Sequence, residues 1–403
     1  MGSLALSKSW LPCSTALAAL LACARLAGAQ PAPPEPPVPA VKPLGDSPGS
    51  QPPSEMYRPL SSGRIDLNME KTGFQTDTPA LVTPPDSAPL PTLSPAVDSP
   101  LGSANGLFNT RVGQAVPRAT YSVLGIPSES VKGQPTNLSV VRQDLSLSTP
   151  IWQCPTDEFM LTAHLHNEII DTGAVIPNST LAFPHTLWDV RLGVSYRHQF
   201  ENGWTAGTSV NVGSASDKPF HSIHEITEGV SAFLRIPQGE RNAWLFSISY
   251  SPTAQVNFPI PMVAYIWWPS DYFRAQIGLP LQVMYRPTED VTLEASYMLL
   301  TSVRGQVIYR VAPQFRLHAG YDFSNEGFFL AERLDTQERF FSYEQRVSAG
   351  AQYTFNRHAS IDLSSGYVFG RYYFEGHSLH ATNGSRVDVD DGWFIGLRFV
   401  GRW

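Results

Sequence analysis

The first group in this chain whose types and spacing could do chemistry is His164, His166 and Glu168. If the segment is a strand, residues two apart share one face roughly 7 Å apart, and two imidazoles with a carboxylate are a ligand set for a zinc-class ion. A strand face turned to water carries the same residues with no ligand. That is the reading adopted, and no metal is expected. His221-x-x-His224-Glu225 falls in a predicted loop without further ligands beside it, and Asp388-Val-Asp390-Asp391-Gly392 lacks the spacing of a calcium loop. Both read as solvated loop ends.

Covalent catalysis has no better foothold. The chain contains no Gly-x-Ser-x-Gly elbow, and nothing in its spacing selects a Ser/His/Asp set from the many serines and ten histidines. No enzyme and no organic cofactor is expected. Cys13 and Cys23 fall in a leader, leaving Cys154 alone in the mature chain, so neither an intramolecular disulfide nor a Cys-rich metal site is predicted. A net charge of -7, with no cluster of Lys and Arg, excludes a nucleic-acid partner.

The residues with the strongest collective signal are arginines, and their meaning depends on the elements that carry them. Beyond residue 158 the chain alternates apolar and polar residues with period two, which predicts strands with two chemically different faces. In 186–200, Trp188, Val190, Leu192, Val194 and Tyr196 alternate with Asp189, Arg191, Gly193, Ser195 and Arg197. The pattern returns in 273–286, 315–323, 341–355, 359–369 and 391–403. Several of these segments approach the nine to eleven residues with which a tilted strand crosses a bilayer. A soluble sandwich would carry more lysine on its wet face, and this region has only Lys218. Aromatic residues near the strand ends fit interfacial girdles.

The expected fold is therefore all-β: a closed antiparallel transmembrane β-barrel of about 12 strands, with 14 as the alternative, preceded by a disordered Pro-rich linker. Counting back from the last strand puts short turns at 201–203, 237–242, 287–290, 312–314 and 356–358 on the side of the termini. The long segments 172–185, 214–224, 252–271, 326–339 and 374–390 fall on the opposite side. Two places leave the count open. Residues 257–280 could add a strand, with Pro280 badly placed inside a central one, and Leu138 to Thr149 could add another. Accepting both gives 14 and reverses the sidedness of the earlier loops.

With that phase, the lumen-facing charges are Arg191, Arg197, Arg235, Arg274, Arg286, Arg304, Arg310, Arg316, Arg346, Arg398 and Arg402, opposed by Asp189, Glu294, Asp322, Glu344 and Asp362. The surplus is positive, and rings of that sign favour anions where a path exists. The expectation is a narrow passive channel for small polar or anionic solutes. A barrel that organises or binds at the cell envelope without conductance is the alternative, and a barrel-embedded hydrolase is the third.

Residues 1–29 read as a cleaved secretory signal: Lys8, an apolar run from Leu11 to Ala22, and Ala27-Gly28-Ala29 before Gln30. Leu20-Leu21-Ala22-Cys23 leaves a lipoprotein leader open. Residues 30–137 read as a Pro-rich linker in the periplasm followed by loop, and 138–403 as the barrel; about half of the 35 prolines lie between Pro31 and Pro100. The final strand alternates Trp393, Ile395, Leu397 and Phe399 and ends on Trp403. That ending resembles the C-terminal signal read by the barrel insertion machinery, which usually finishes on Phe, so Trp403 is a departure.

The runs Phe258-Pro-Ile-Pro261 through Trp268-Pro-Ser-Asp271, and Gly278-Leu-Pro280 to Tyr285-Arg-Pro287, carry a further likeness. From about Asn137 onward the chain resembles an uncharacterised family of predicted bacterial outer-membrane β-barrel proteins. The resemblance implies an outer-membrane barrel of unknown cargo, with lipid as its surroundings, and brings no catalytic residues. Oligomeric state is not indicated.

Overall fold

A computed structural model of the protein describes residues 112–403, apart from 180, 254–257, 299–301 and 379–383. The leader, Cys13, Cys23 and the Pro-rich stretch lie outside the described residues. The described chain forms a single antiparallel sheet that closes on itself. Its strands are β1 (Arg118–Ser130), β2 (Asn137–Gln153), β3 (Asp157–Thr172), β4 (Thr186–Gln199), β5 (Thr205–Ser216), β6 (Ile226–Gln238), β7 (Asn242–Tyr250), β8 (Ile260–Ser270) and β9 (Phe273–Gly278). They continue as β10 (Leu281–Tyr285), β11 (Val291–Met298), β12 (Ser302–Ala312), β13 (Phe315–Phe328), β14 (Arg339–Asn356), β15 (Ala359–Gly376), β16 (Val387–Asp388) and β17 (Gly392–Arg402).

Each strand pairs with its sequence neighbour, and β1 pairs with β17 from Arg118↔Arg402 to Gly125↔Ile395, which closes the ring. The two-residue β16 adds to β15 beyond the end of β17, so the wall proper has 16 strands. Closure leaves no unpaired edge. Leu161, Leu192, Val212, Ile248, Val263, Val307, Leu363 and Ile395 are exposed on the outside of the wall. Trp152, Trp204, Trp244, Trp267, Tyr285, Tyr353 and Trp403, also exposed, stand at strand ends on the side of the termini. Apolar positions between aromatic belts are what a strand wall needs to sit in hydrocarbon.

The count of 16 corrects the expected 12 or 14, and the reasons are local. β1 begins at Arg118, inside the stretch 30–137 read above as linker and loop, and pairs along its length with β2. Its alternation was unreadable because its inward face changes character: Thr120 and Ser122 are followed in the same phase by Leu124 and Ile126, which meet an apolar core. Residues 257–280 yield the extra strand β8, and the segment 273–286, expected as one strand, is two. Gly278 ends β9 at φ +136°, where a Cβ would meet the Val263 carbonyl oxygen at 2.1 Å. Only glycine makes that approach. Pro280, with no N–H for a ladder, sits in the turn instead.

These additions come in pairs, so the expected sidedness survives except within 252–271. The part before β8 lies at the far end, whereas Asp271 and Tyr272 form a turn at the end that carries the termini. The wall is uneven: β2, β3, β14 and β15 have 16 to 18 residues, whereas β9 and β10 have six and five. The long strands rise past the span needed for a bilayer and carry the core described next.

Candidate functional site

The interior is divided along its axis. Toward the far end, the wall turns a set of apolar residues inward: Ile126, Leu138, Val140, Ile170, Leu187, Phe340, Val368 and Phe394. Four far-end connections drop onto them. The β1–β2 connection contributes Val131, the β3–β4 connection Ala174, Ile176 and Phe183, the β13–β14 connection Leu330, and the last one Val387 and Val389. Phe183 meets the rings of Phe340 and Tyr373 edge-on, each at 5.4 Å between centroids.

Beneath this apolar cap lies a belt of charged residues that reaches across the lumen. Arg142 on β2 donates to Glu168 on β3 at 3.1 Å and to Glu344 on β14. Arg346 joins Glu344, at 3.5 Å, to Asp322 on β13, and Arg304 on β12 approaches Asp322 at 3.7 Å. His166 donates through Nδ1 to Asp144 at 2.6 Å, with Glu326 on its other side. Arg142, Glu168 and Glu344 are almost fully buried. Charges so placed persist only because each is paired, since isolated ones would cost several kcal/mol apiece.

Toward the end with the termini, the lumen opens into a cavity of about 500 Å³. Arg304, Arg316, Arg346, Arg398 and Arg402 line one side of it, with Asp322, Asp362 and His318 among them; Arg118 and Arg191 also reach it. Asp362 is held by His318 at 2.8 Å. Arg316, Arg398 and Arg402 form no ion pair among the described residues. Its floor is shaped by the segment leading into β1. Gly113, at φ +75°, donates its N–H to Glu158 at 3.0 Å, and a Cβ there would meet the Cys154 carbonyl oxygen at 2.1 Å. Glu158 in turn is paired with Arg197, both fully buried.

Of the charges expected in the lumen, Arg191, Arg197, Arg304, Arg316, Arg346, Arg398, Arg402, Asp322 and Asp362 line this cavity. Asp189 pairs with Arg191, Glu344 belongs to the belt, and Glu294 accepts from Gln306 on the next strand. Four arginines lie outside the lining of this cavity. Arg310 lies exposed at the rim beside Asp290, at 3.1 Å. Arg286 sits at the β10–β11 turn, its N–H donated to the Tyr272 carbonyl. Arg274 stacks over the Trp268 ring, 5.1 Å from its centroid, and with Arg235 it lies outside the cavity lining.

Sequence reasoning passed over Arg142, Asp144, Glu158 and Glu326. Arg142 and Asp144 share a phase with Ser146 and Ser148, a signal that was present in 138–149. The other motifs disperse. Glu225 is buried by Arg333, at 3.3 Å, in the far-end loops. Asp388 pairs with Arg386 at 2.6 Å, Asp390 lies 3.8 Å from Lys132, and Asp391 accepts the Gly370 N–H at 3.1 Å. Phe399 and Trp403 point outward on the closing strand, and the Trp403 N–H reaches the Pro117 carbonyl at 3.2 Å.

No protein-family model matches the chain, and no curated protein matches it. Among solved structures, an outer membrane channel from Pseudomonas putida F1 aligns at 12% identity over 73% of this chain and 98% of its own, with a TM-score of 0.32. The toluene transporter TodX of Pseudomonas putida aligns at 9% identity over 74% and 93%, with a TM-score of 0.28. The β domain of the Bordetella autotransporter BrkA aligns at 9% over 72% and 99%, again at 0.28. All three come from bacterial envelope proteins, and at such scores they add nothing to the barrel read directly from the strand pairing.

Proposed function

We propose that the protein is an outer-membrane channel, narrow and passive, that favours small anionic solutes. The end with both termini and short turns faces the periplasm, and the far end with its long connections faces outward, as in other barrels of this type. Phe399 and Trp403 then serve as the insertion signal, lipid surrounds the wall, and the leader and Pro-rich stretch lie on the periplasmic side. The interior serves passage rather than catalysis.

The observation that carries this reading is the arginine face of the cavity. Arg316, Arg398 and Arg402 have no carboxylate partner among the described residues, whereas Arg142, Arg304 and Arg346 of the belt above them each stand within 4 Å of a carboxylate. A positive surplus in a wet, low-dielectric recess raises the local concentration of anions. The test is the reversal potential of the purified protein in planar bilayers under a KCl gradient. Chloride preference supports the reading, and potassium preference overturns it.

The apolar cap favours one second reading, a closed barrel that organises or binds at the envelope. It predicts no conductance from a protein that is folded, as judged by its shift in gel mobility on boiling.

A further inference from the structure

The belt contains three groups that its ion pairs leave incomplete. His166 and Glu168 stand on β3, and Glu326 on β13, six strands away round the shorter side of the ring. One ligand atom from each lies within 4.8 Å of the others. Asp144, 2.6 Å from Nδ1 of His166, is a carboxylate and can only accept, so Nδ1 carries the hydrogen and Nε2 is turned toward Glu326, 3.4 Å away. A carboxylate behind the far ring nitrogen is the arrangement that orients metal-binding histidines and raises their basicity.

Two buried atoms of this group have no hydrogen-bond partner: Nε2 of His166 and Oε2 of Glu168. His166 is 6% exposed and Glu168 not at all. Arg142 and the Tyr373 hydroxyl occupy only the other oxygen of Glu168, at 3.1 and 3.4 Å. Among the described residues, ion pairs join Asp144, Glu168, Asp322, Glu326 and Glu344 of the belt to the guanidiniums of Arg142, Arg304 and Arg346, with His166 between Asp144 and Glu326. Five carboxylates against three guanidiniums leave room for a dication.

We infer that His166, Glu168 and Glu326 bind one divalent transition cation of the zinc class, which staples β3 to β13 beneath the apolar cap. One imidazole and two carboxylates form a borderline nitrogen and oxygen set that suits zinc. Ligands about 2.1 Å from a tetrahedral ion stand about 3.4 Å apart. His166 and Glu326 already have that separation, and the wider spacing to Glu168 closes by a turn of its carboxylate. The cation would complete the charge of the belt whether or not solute passes below.

The test uses the untagged full chain, purified in detergent, stripped with EDTA and titrated with Zn²⁺ alone, then with Co²⁺. The inference expects one equivalent of zinc per chain by elemental analysis and a visible Co²⁺ absorption of low-symmetry type. His166→Asn and Glu326→Gln each abolish stoichiometric binding, and Asp144→Asn weakens it about tenfold to a hundredfold, the range for loss of an orienting partner. His221→Ala with His224→Ala leaves it unchanged. Variants are compared only after their boiling-dependent mobility shift shows a folded barrel. Absence of stoichiometric zinc in the folded chain, or zinc that persists in Glu326→Gln, overturns the site. If no zinc binds, His166 is instead an imidazolium bridging Asp144 and Glu326, visible as a second ring N–H proton resonance.

Discussion

The two halves of the lumen are built from the same strands, yet they follow opposite rules. Around the cavity, inward positions are mostly Ser, Thr, His, Asp and Arg, with a few apolar residues such as Met160, Ile308 and Val400, and the outside is predominantly apolar. In the far half, inward positions are apolar as well, and Phe183, Leu330, Val387 and Val389 come down from the connections to cover them. The strands that make the difference are the long ones, β2, β3, β14 and β15, which continue past the bilayer and support a small water-excluding core of their own. A barrel wall satisfies its backbone by closure; what fills it is decided separately at each level.

The largest effect should come from breaking the cap. Phe340 is fully buried between Phe183 and Tyr373, with ring centroids at 5.4 and 5.6 Å. Phe340→Ala removes a core aromatic and should cost about 3–5 kcal/mol of stability, read as a lower temperature at which the gel shift on boiling sets in. If the cap is what separates the cavity from the outside, the same variant raises conductance in planar bilayers. Lost stability with unchanged current would show that the cap braces the strands without obstructing a path.

Below the belt, Arg197→Met tests the opposite kind of burial. It leaves Glu158 fully buried with only the Gly113 N–H at 3.0 Å, and breaking such a pair costs about 3–5 kcal/mol, less whatever water enters from the cavity. Replacing both partners, as in Glu158→Gln with Arg197→Met, should recover most of that loss. Equal damage in the single and double variants would mean that the side-chain shapes hold the floor rather than their charges.

The third prediction concerns the cavity alone. Arg316→Glu with Arg398→Glu should move the chloride-to-potassium permeability ratio by about tenfold toward the cation, a shift of about 1.4 kcal/mol, while the gel shift stays as it was. Neither side chain has an ion pair to lose among the described residues, so a large drop in stability would contradict the contrast drawn here between the paired arginines of the belt and these two.

How much of this was legible in the sequence follows the same division. β4 could be read residue by residue, because Asp189, Arg191 and Arg197 face a polar lumen while Trp188, Leu192 and Tyr196 face outward. β1 could not, because Leu124 and Ile126 face the cap and erase the contrast between faces. The β9–β10 break was signalled by Gly278 and Pro280, yet the apolar run on either side reads equally well as one strand. Pairings within one strand or its neighbour, such as Asp189 with Arg191, follow from period two. The belt does not: Arg142 meets Glu344 across 202 positions of sequence, and Glu326 meets His166 from the opposite wall. No local pattern carries a contact that depends on how sixteen strands close.

The smallest expected effect lies in the far-end connections. Lys218, in the β5–β6 connection, and Glu332, in the β13–β14 connection, form an exposed ion pair. The Lys218 ammonium, by hydrogen bond and by charge, holds the Glu332 carboxyl below its ordinary value. A depressed carboxyl contributes stability above its unfolded pKa and loses it as the pH falls through the folded value, so any contribution disappears in acid, below the ordinary carboxylate range. Such surface pairs are screened by salt. Lys218→Gln should therefore return the Glu332 titration, followed by carbon NMR of labelled glutamate, to the ordinary range, and high salt should do most of the same to the unmodified chain. Neither change should alter the onset of the gel shift, because the two connections remain tied by the buried Arg333 and Glu225 pair and by the backbone bonds between Phe329 and Ala215 and between Asp217 and Phe329. A clear loss of thermal stability in Lys218→Gln would mean that the far-end connections are held by their surface charges, and that the apolar cap is a consequence of their closure rather than its cause.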